Sequence, residues 1–174
     1  MRIPFFAAAL FGVASLIAVS APAQQPAAPA TPAGQQAAPA PPTPYGLPID
    51  IATAKRAAAA GIAKAKQTGF PSAIAIVGPG GELIYLEKMD NSNYSVSELA
   101  IKKATSAVMF RRPTKIFEDG LASRPVIGQL GVTAIGGGIP IVLKGRVVGA
   151  IGAGGAPTSE GDIAAAQAGV DALQ

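Results

Sequence analysis

Residues 136–152 read GGGIPIVLKGRVVGAIG, and this stretch decides the fold. Its apolar runs, Ile139–Leu143 and Arg146–Ala153, flank the dipeptide Lys144-Gly145, which suits a two-residue hairpin turn. A hairpin predicts antiparallel pairing rather than the helix-linked parallel strands of alternating β-α-β units. The remaining sequence must therefore supply further strands and the helices that cover the sheet.

A second hairpin is predicted upstream. Ala73–Val77 is wholly apolar, the turn-forming residues Gly78–Gly81 follow, and Glu82–Lys88 contains a run of large apolar side chains. Val132–Ile135 is strand-like as well. The sheet is therefore expected to have five strands and to be mostly antiparallel.

Helical periodicity accounts for most of the other segments. Asp50 is expected to cap the first helix, and Ser95 with Glu98 has the pattern of a capping box at the second. Thr114 is expected to cap a short third helix. The predicted element order is α-β-β-α-(α)-β-β-β-α, an α+β domain with helices flanking the sheet in a three-layer, profilin-like arrangement. The predicted helices are 51–68, 95–110, 114–121 and a last one that opens at Ser159.

Two segments precede this domain, which we place at residues 49–174. Residues 1–23 combine Arg2, an apolar run and the small-x-small site Ala21-Pro22-Ala23, which is typical of a cleavable export signal. The alternative is an uncleaved anchor over residues 3–20. Residues 24–48 contain eight of the 16 prolines and predict a disordered Pro/Ala-rich linker. We therefore expect a periplasmic or secreted protein that keeps no stable membrane span after cleavage.

The amino-acid composition excludes several kinds of functional site. The chain has no cysteine, histidine or tryptophan, which excludes disulfides, thiolate metal sites, His-bearing zinc sites and serine–histidine triads. Residues 49–174 carry 13 Lys and Arg against 10 Asp and Glu, a net charge of only +3. Apart from Phe110, no aromatic residue interleaves the basic pairs, so a nucleic-acid surface is not expected.

The glycine run Gly136–Gly138 has two interpretations. Glycine permits tight turns, bulges and close backbone approach in a small sheet. Alternatively, exposed backbone amides near the start of the last helix form a cradle that receives a carboxylate or a phosphate. The residues alone leave both interpretations open.

Several segments, taken in order, resemble the GlcG/HbpS-like haem-binding family. Lys103–Ala107 resembles that family's lysine-alanine-x-threonine-alanine helix, and residues 136–141 with 145–152 resemble its paired-strand signature. Together the matching segments cover nearly all of residues 50–173. The shorter matches are Lys66–Pro71, Ala73–Val77, Gly80–Leu83, Met89-Asp90, Phe110, Pro113 and Thr114.

The resemblance implies an α+β fold with a five-stranded antiparallel sheet, assembled into homo-oligomers that are often octameric. It also implies haem binding in exported members, whereas other relatives accompany glycolate-utilisation genes. In the family, a threonine of the helix that carries the lysine motif is assigned to the haem iron. Ser106 occupies that motif position and Thr105 lies beside it, so these two hydroxyls are the first candidates for axial ligands.

Other residues are candidates for a haem site in a chain without histidine or cysteine. Tyrosine and methionine are known axial ligands, which makes Tyr85 and Met109 alternatives. Guanidinium and ammonium groups suit the haem propionates. Asp90 and Glu98 are weaker candidates for a metal ion. The remaining ligand-binding candidates are Lys103, Arg111, Arg112, Arg124, Gly136, Gly137 and Gly138.

Each candidate also has a structural interpretation, and three functions remain. Hydroxyls inside helices bond back to helix carbonyls, aromatic and methionine side chains pack in cores, and arginines near a helix C-terminus interact with the helix dipole. The first hypothesis is an exported, oligomeric, non-enzymatic haem-binding protein. The alternatives are a small-carboxylate-binding protein or enzyme of glycolate-type metabolism, and a structural oligomer without a ligand.

Overall fold

The computed structural model describes residues 40–174, and in them it shows four strands, four α-helices and one 3-10 helix. The hairpins, the first helix and the last helix lie where the sequence predicts them. The elements are α1 Ile51–Thr68, β1 Ala73–Val77, β2 Leu83–Lys88, α2 Val96–Phe110, α3 Lys115–Leu121, the 3-10 helix Pro125–Leu130, β3 Gly138–Leu143, β4 Arg146–Gly154 and α4 Ser159–Asp171.

The strands form one antiparallel sheet in the order β2-β1-β4-β3. Both predicted hairpins are confirmed, since β1 pairs with β2 and β3 pairs with β4. The two hairpins join through antiparallel pairing of β1 with β4, with Ile76 opposite Ile151. The long strand β4 therefore lies in the middle of the sheet and connects both halves.

Helices cover both faces of the sheet, which gives three layers. Alternate residues of β1 point to opposite faces: Ile74 and Ile76 join the core cluster of α1 and α4, whereas Ala73 and Ala75 pack against α2. All five residues of β1 are buried. This explains why the strand reads as a continuous apolar run rather than as an alternating one.

Glycines of β3 and β4 bring α2 unusually close to the sheet. A Cβ on Gly152 would lie 2.0 Å from the carbonyl oxygen of Ala100, and one on Gly138 would lie 2.3 Å from that of Lys103. The two glycines are register partners in adjacent strands. At these positions the glycine-rich pattern seats a helix backbone.

The prediction of a fifth strand at Val132–Ile135 is wrong. Residues 132–134 have no regular secondary structure, and side chains of neighbouring helices satisfy backbone groups of this loop. The Thr133 amide donates to the Ser106 hydroxyl oxygen at 2.9 Å, and the Ile135 carbonyl accepts from the Thr114 hydroxyl at 2.7 Å. An apolar run with these partners needs no sheet ladder.

One predicted helix cap is confirmed and two are wrong. Asp50 caps α1 by accepting a hydrogen bond from the Thr53 amide. Ser95 has helical backbone angles and makes no capping bond, while Glu98 pairs with Lys102 at 2.6 Å instead of closing a capping box. The Thr114 hydroxyl does not cap α3, because it bridges Ile135 and Gly138.

The domain begins before residue 49. Residues 43–49, which we call the N-terminal strap, run along β4, where Tyr45 forms a parallel bridge with Val147. The Gly46 amide donates to the Val147 carbonyl at 2.8 Å, and the Val147 amide donates to the Pro44 carbonyl at 2.9 Å. The end of the segment predicted to be a disordered linker is therefore part of the domain. The predicted export signal at 1–23 and linker residues 24–39 lie outside the described residues.

Candidate functional site

One stripe of α2 is only partly covered by the rest of the fold. Ile101, Thr105 and Met109 follow one another at single-turn spacing; the first two are half-buried and Met109 is 57% exposed. The β1–β2 turn borders this stripe. At Gly81, a Cβ would lie 3.2 Å from Thr105 Cγ2 and 4.0 Å from Met109 Sδ.

An open cleft of about 430 Å³ lies between α2 and the loop that precedes β3. Its volume is within the range of small-molecule sites. Apolar side chains form part of the wall, and a half-buried hydroxyl faces the same cleft. The lining residues are Ile101, Lys102, Thr105, Ser106, Gly131, Val132 and Thr133.

The two hydroxyls predicted as axial ligands have different surroundings. Ser106 is 7% exposed, and its hydroxyl oxygen accepts the Thr133 amide, which fixes the loop wall of the cleft. Among the hydrogen bonds of residues 40–174, none engages the Thr105 hydroxyl. Thr105 is therefore the more available donor, and Ser106 shapes the cleft.

Lys103 is fully buried and does not line the cleft. Its ammonium lies 2.6 Å from Asp162 Oδ2, with 0% and 5% of the two side chains exposed. Asp162 Oδ1 also accepts the Ala156 amide at 3.0 Å. Because α2 and α4 cover opposite faces of the sheet, this ion pair joins the two helix layers. The expectation that Lys103 meets a propionate is therefore wrong.

The protein's own side chains fill the predicted glycine cradle. Gly136–Gly138 are buried, and the Gly136 amide donates to Glu118 Oε2, which also accepts the Ser159 hydroxyl at 2.6 Å. The Gly138 amide donates to the Thr114 hydroxyl oxygen. A carboxylate does occupy this place, as the chemistry of the cradle predicts, but it belongs to Glu118. These glycines do not serve as ligand-binding residues.

We expect Glu118 to make stability depend on acid pH. The Ser159 hydroxyl, the Gly136 amide and the Lys115 charge lower the pKa of Glu118. A lowered folded-state pKa contributes stability above the unfolded pKa of about 4.3, and this stability is lost as pH falls through the folded value. In urea titrations, the stability difference between wild type and Glu118→Gln should therefore shrink as pH falls below about 4.

The control for this prediction is Asp90→Asn, since Asp90 is an exposed carboxylate in the turn after β2 and lies outside any helix. Its difference from wild type should change little over the same pH range. A gap between wild type and Glu118→Gln that stays constant down to the onset of acid unfolding would contradict this assignment.

Of the three predicted arginines, one contacts the strap and two are exposed to solvent. The Arg111 guanidinium stacks on Tyr45, with Cζ 5.0 Å from the ring centroid, and donates to the Thr43 carbonyl at 3.2 Å. Arg112 and Arg124 are exposed. Arg112 lies two residues after the end of α2, so it remains a candidate for binding an anionic group of a ligand, whereas Arg111 belongs to the strap contact.

The remaining candidates lie apart from the cleft. Tyr85 packs with the α1/α4 cluster on the other face of the sheet, and burial together with the Glu87 carboxylate raises its pKa, which disfavours a tyrosinate ligand. Asp90 is exposed, and Glu98 is paired with Lys102. Within residues 40–174, no group of three acidic side chains is placed to hold a metal ion.

Sequence reasoning missed the strap and the groove beside it. This groove has a volume of about 850 Å³ and lies between the strap, the start of α1 and the β3–β4 turn. Tyr45 and Leu47 are the two large apolar side chains in the Pro/Ala-rich segment 24–48. Their closeness at the end of this segment was the one signal in the sequence that could have indicated the strap. Leu47 is 86% exposed, whereas the Tyr45 hydroxyl bonds to α2.

The described residues form a small three-layer α+β domain. Its four-stranded antiparallel sheet lies between helix layers, and the cleft lies beside α2. A family model described as "Haem degrading protein HbpS-like" matches residues 49–171. The chain belongs to this family, which confirms the resemblance found in the sequence.

Curated and solved relatives agree with this assignment. GlcG of Escherichia coli K12 is 30% identical over 101 residues, which are 54% of this chain and 72% of that protein. A double mutant of Streptomyces reticuli HbpS superposes with a TM-score of 0.70 at 28% identity, covering 82% of this chain and 98% of the other. A structure described as a PduOC:haem complex has a TM-score of 0.66 at 26% identity, covering 72% and 95%.

The helices described in residues 40–174 include none that is long and apolar enough to cross a membrane.

Proposed function

We propose that this protein is an exported haem-binding protein that holds haem reversibly in the cleft beside α2. The observation that carries the proposal is the partly exposed stripe of α2, in which Ile101 and Thr105 line the cleft and the exposed Met109 lies one helical turn beyond Thr105. It presents a hydroxyl and a thioether in a family with a member solved as a haem complex. The alternative site for a small carboxylate, at Gly136–Gly138, is filled by Glu118.

The donor set fits an exchangeable haem. The candidate axial ligands are the Thr105 hydroxyl, which makes no hydrogen bond within residues 40–174, and the exposed Met109 thioether. Arg112 and Arg124 are exposed cations that suit propionate carboxylates. Haem itself would supply the iron and its redox chemistry. Because a neutral hydroxyl is a poor iron ligand, we expect haem to dissociate readily rather than to be held permanently.

We further propose that the protein acts as a homo-oligomer. Apolar side chains on the segment from the end of α2 to the start of β3 are exposed, and a second copy of the chain would remove them from water. Light scattering of the purified protein tests the proposed oligomer, and a monomeric molar mass would contradict it. The exposed side chains are Met109, Phe110, Ile116, Leu121, Val126, Leu130 and Ile135.

A haemin titration tests haem binding. We expect a saturable, near-stoichiometric Soret shift in protein purified with a histidine-free tag, so that the tag cannot ligate iron. Thr105→Val combined with Met109→Leu keeps the shape of both side chains but removes both donors. This variant should weaken haem affinity roughly tenfold, a loss similar to that of one hydrogen bond to a charged group.

The matched control is Thr53→Val, because Thr53 is a half-buried threonine on α1, away from the cleft. A non-saturating response in wild type would overturn the proposal. Equal affinity in the double variant would overturn the ligand assignment alone. The family description also names haem degradation, so the Soret band of the complex should be followed with reductant. Progressive bleaching would indicate an enzyme rather than a carrier.

A further inference from the structure

The beginning of the N-terminal strap lies over the C-terminal turn of α2, and the Tyr45 side chain makes the first of two contacts there. The Tyr45 hydroxyl lies 2.9 Å from the carbonyl oxygen of Val108 and 3.2 Å from that of Met109. The last carbonyls of a helix have no partner within the helix. The Val108 carbonyl also accepts the Arg111 amide at 3.2 Å, whereas among residues 40–174 the Met109 carbonyl accepts only from Tyr45. The Tyr45 hydroxyl, from a distant part of the chain, therefore adds one shared hydrogen bond to the last turn of α2.

Arg111 closes the contact from the other side. It adopts a left-handed conformation with φ of 53°, which is uncommon for a residue with a side chain. In this conformation its guanidinium stacks on the Tyr45 ring and donates to the Thr43 carbonyl. The end of α2 and the strap are therefore joined by contacts in both directions.

The strap is itself held to the sheet, so the contact has a rigid base. Arg146 donates to the Tyr45 carbonyl at 3.2 Å, and the Ile49 amide donates to the Val148 carbonyl at 3.3 Å. A Cβ on Gly46 would lie 3.0 Å from that of Arg146, so the strap lies close against β4. Tyr45 thus transmits the position of the central strand to the end of α2.

We infer that Tyr45 and Arg111 are positioning residues for the ligand cleft. Met109 lies in the turn whose carbonyls Tyr45 binds, and Arg112 lies two residues after the end of α2. The cleft lining includes none of Tyr45, Arg111, Met109 and Arg112, but Met109 lies one helical turn beyond the lining residue Thr105. Tyr45 and Arg111 act through the last turn of α2. They hold the Met109 thioether and the exposed Arg112 in one arrangement relative to Thr105. This inference rests on the proposed haem site and names the part of the chain that sets its geometry.

Tyr45→Phe tests the inference in the full chain, because it keeps the ring that stacks on Arg111 and removes only the hydroxyl. In haem-free protein, the backbone amides of Arg111 and Arg112, which bond to Val108 and Ala107, should exchange their hydrogens roughly fivefold faster, as expected for the loss of one net hydrogen bond. In haem-loaded protein, transfer of haem to excess apomyoglobin should accelerate by a similar factor, and the Soret maximum should shift.

Leu47→Ala is the matched control, since Leu47 lies in the same strap and is 86% exposed. It should leave amide exchange, haem transfer and the Soret maximum unchanged. Unchanged amide exchange in Tyr45→Phe would overturn the inference whether or not the protein binds haem. Faster exchange with wild-type haem transfer and spectrum would also overturn it, because Tyr45 would then be structural only. Failure of the proposed function would be visible separately, as a wild-type protein with no saturable haem binding.

Discussion

Asp162→Asn should lower the free energy of unfolding by about 3–5 kcal/mol, because it leaves the buried Lys103 ammonium without a counter-charge. The two charged groups are 2.6 Å apart and almost wholly removed from water. Asparagine keeps the shape of the side chain and can still accept the Ala156 amide. The loss would therefore report the uncompensated charge. Urea unfolding should show a lower midpoint with an unchanged slope.

Two further variants make this prediction specific. Asp171→Asn removes an exposed carboxylate from the end of the same helix and should change stability by less than about 0.5 kcal/mol. Replacing both partners, with Lys103→Met and Asp162→Leu, should recover much of the lost stability, since apolar residues of similar volume can replace a buried ion pair. A single Asp162→Asn variant as stable as wild type would refute the link between the helix layers.

Among the glycines of β4, Gly152 is the one whose replacement by alanine we expect to destabilise the protein most. The new Cβ would lie 2.0 Å from the Ala100 carbonyl oxygen and 2.7 Å from the Ala104 amide nitrogen, and both are backbone atoms of α2. Overpacking typically costs about 1–3 kcal/mol, and more where no side chain can move aside. We expect a loss of about 3 kcal/mol or more by urea unfolding, or a protein that does not fold.

Gly128→Ala is the matched control for Gly152→Ala. Its added Cβ would have one heavy atom at 4.0 Å, the Leu121 Cδ1, which is ordinary contact. This variant should unfold within about 0.5 kcal/mol of wild type. Should Gly152→Ala instead match the wild-type midpoint, α2 would not lie against β4 as the structure has it.

Local signals predicted most of the fold because they depend on residues close together in the chain. The turn at Lys144-Gly145 and the apolar runs on both sides of it were enough for the β3–β4 hairpin. The same reasoning wrongly predicted a strand at Val132–Ile135, because an apolar run does not indicate which groups will bind its backbone amides and carbonyls. There the partners are the side chains of Ser106 and Thr114.

The candidate site could be predicted only in part. The motif Lys103–Ala107 indicated the helix that borders the cleft, but not which of its polar side chains face outward. Lys103 turns inward to Asp162, 59 residues away in sequence, and Ser106 binds the loop wall. Thr105 lines the cleft, and its hydroxyl has no hydrogen-bond partner among residues 40–174. A resemblance to a family selects a helix, whereas the exposure of each residue follows from what packs around that helix.

The amino-acid sequence by itself determined the two hairpins, the flanking helices and the absence of thiol and imidazole chemistry, because these follow from composition and short-range periodicity. The family was indicated by the resemblance of several motifs taken in order. Only the tertiary structure decided that Glu118 fills the glycine cradle, that Lys103 pairs with Asp162 and that Tyr45 completes the end of α2. The physical reason is shared. Buried groups such as the Lys103 ammonium and the Gly136 amide must find a partner. In all three cases, including the less buried Tyr45 contact, the partner comes from a distant part of the chain, which no local pattern of residues encodes.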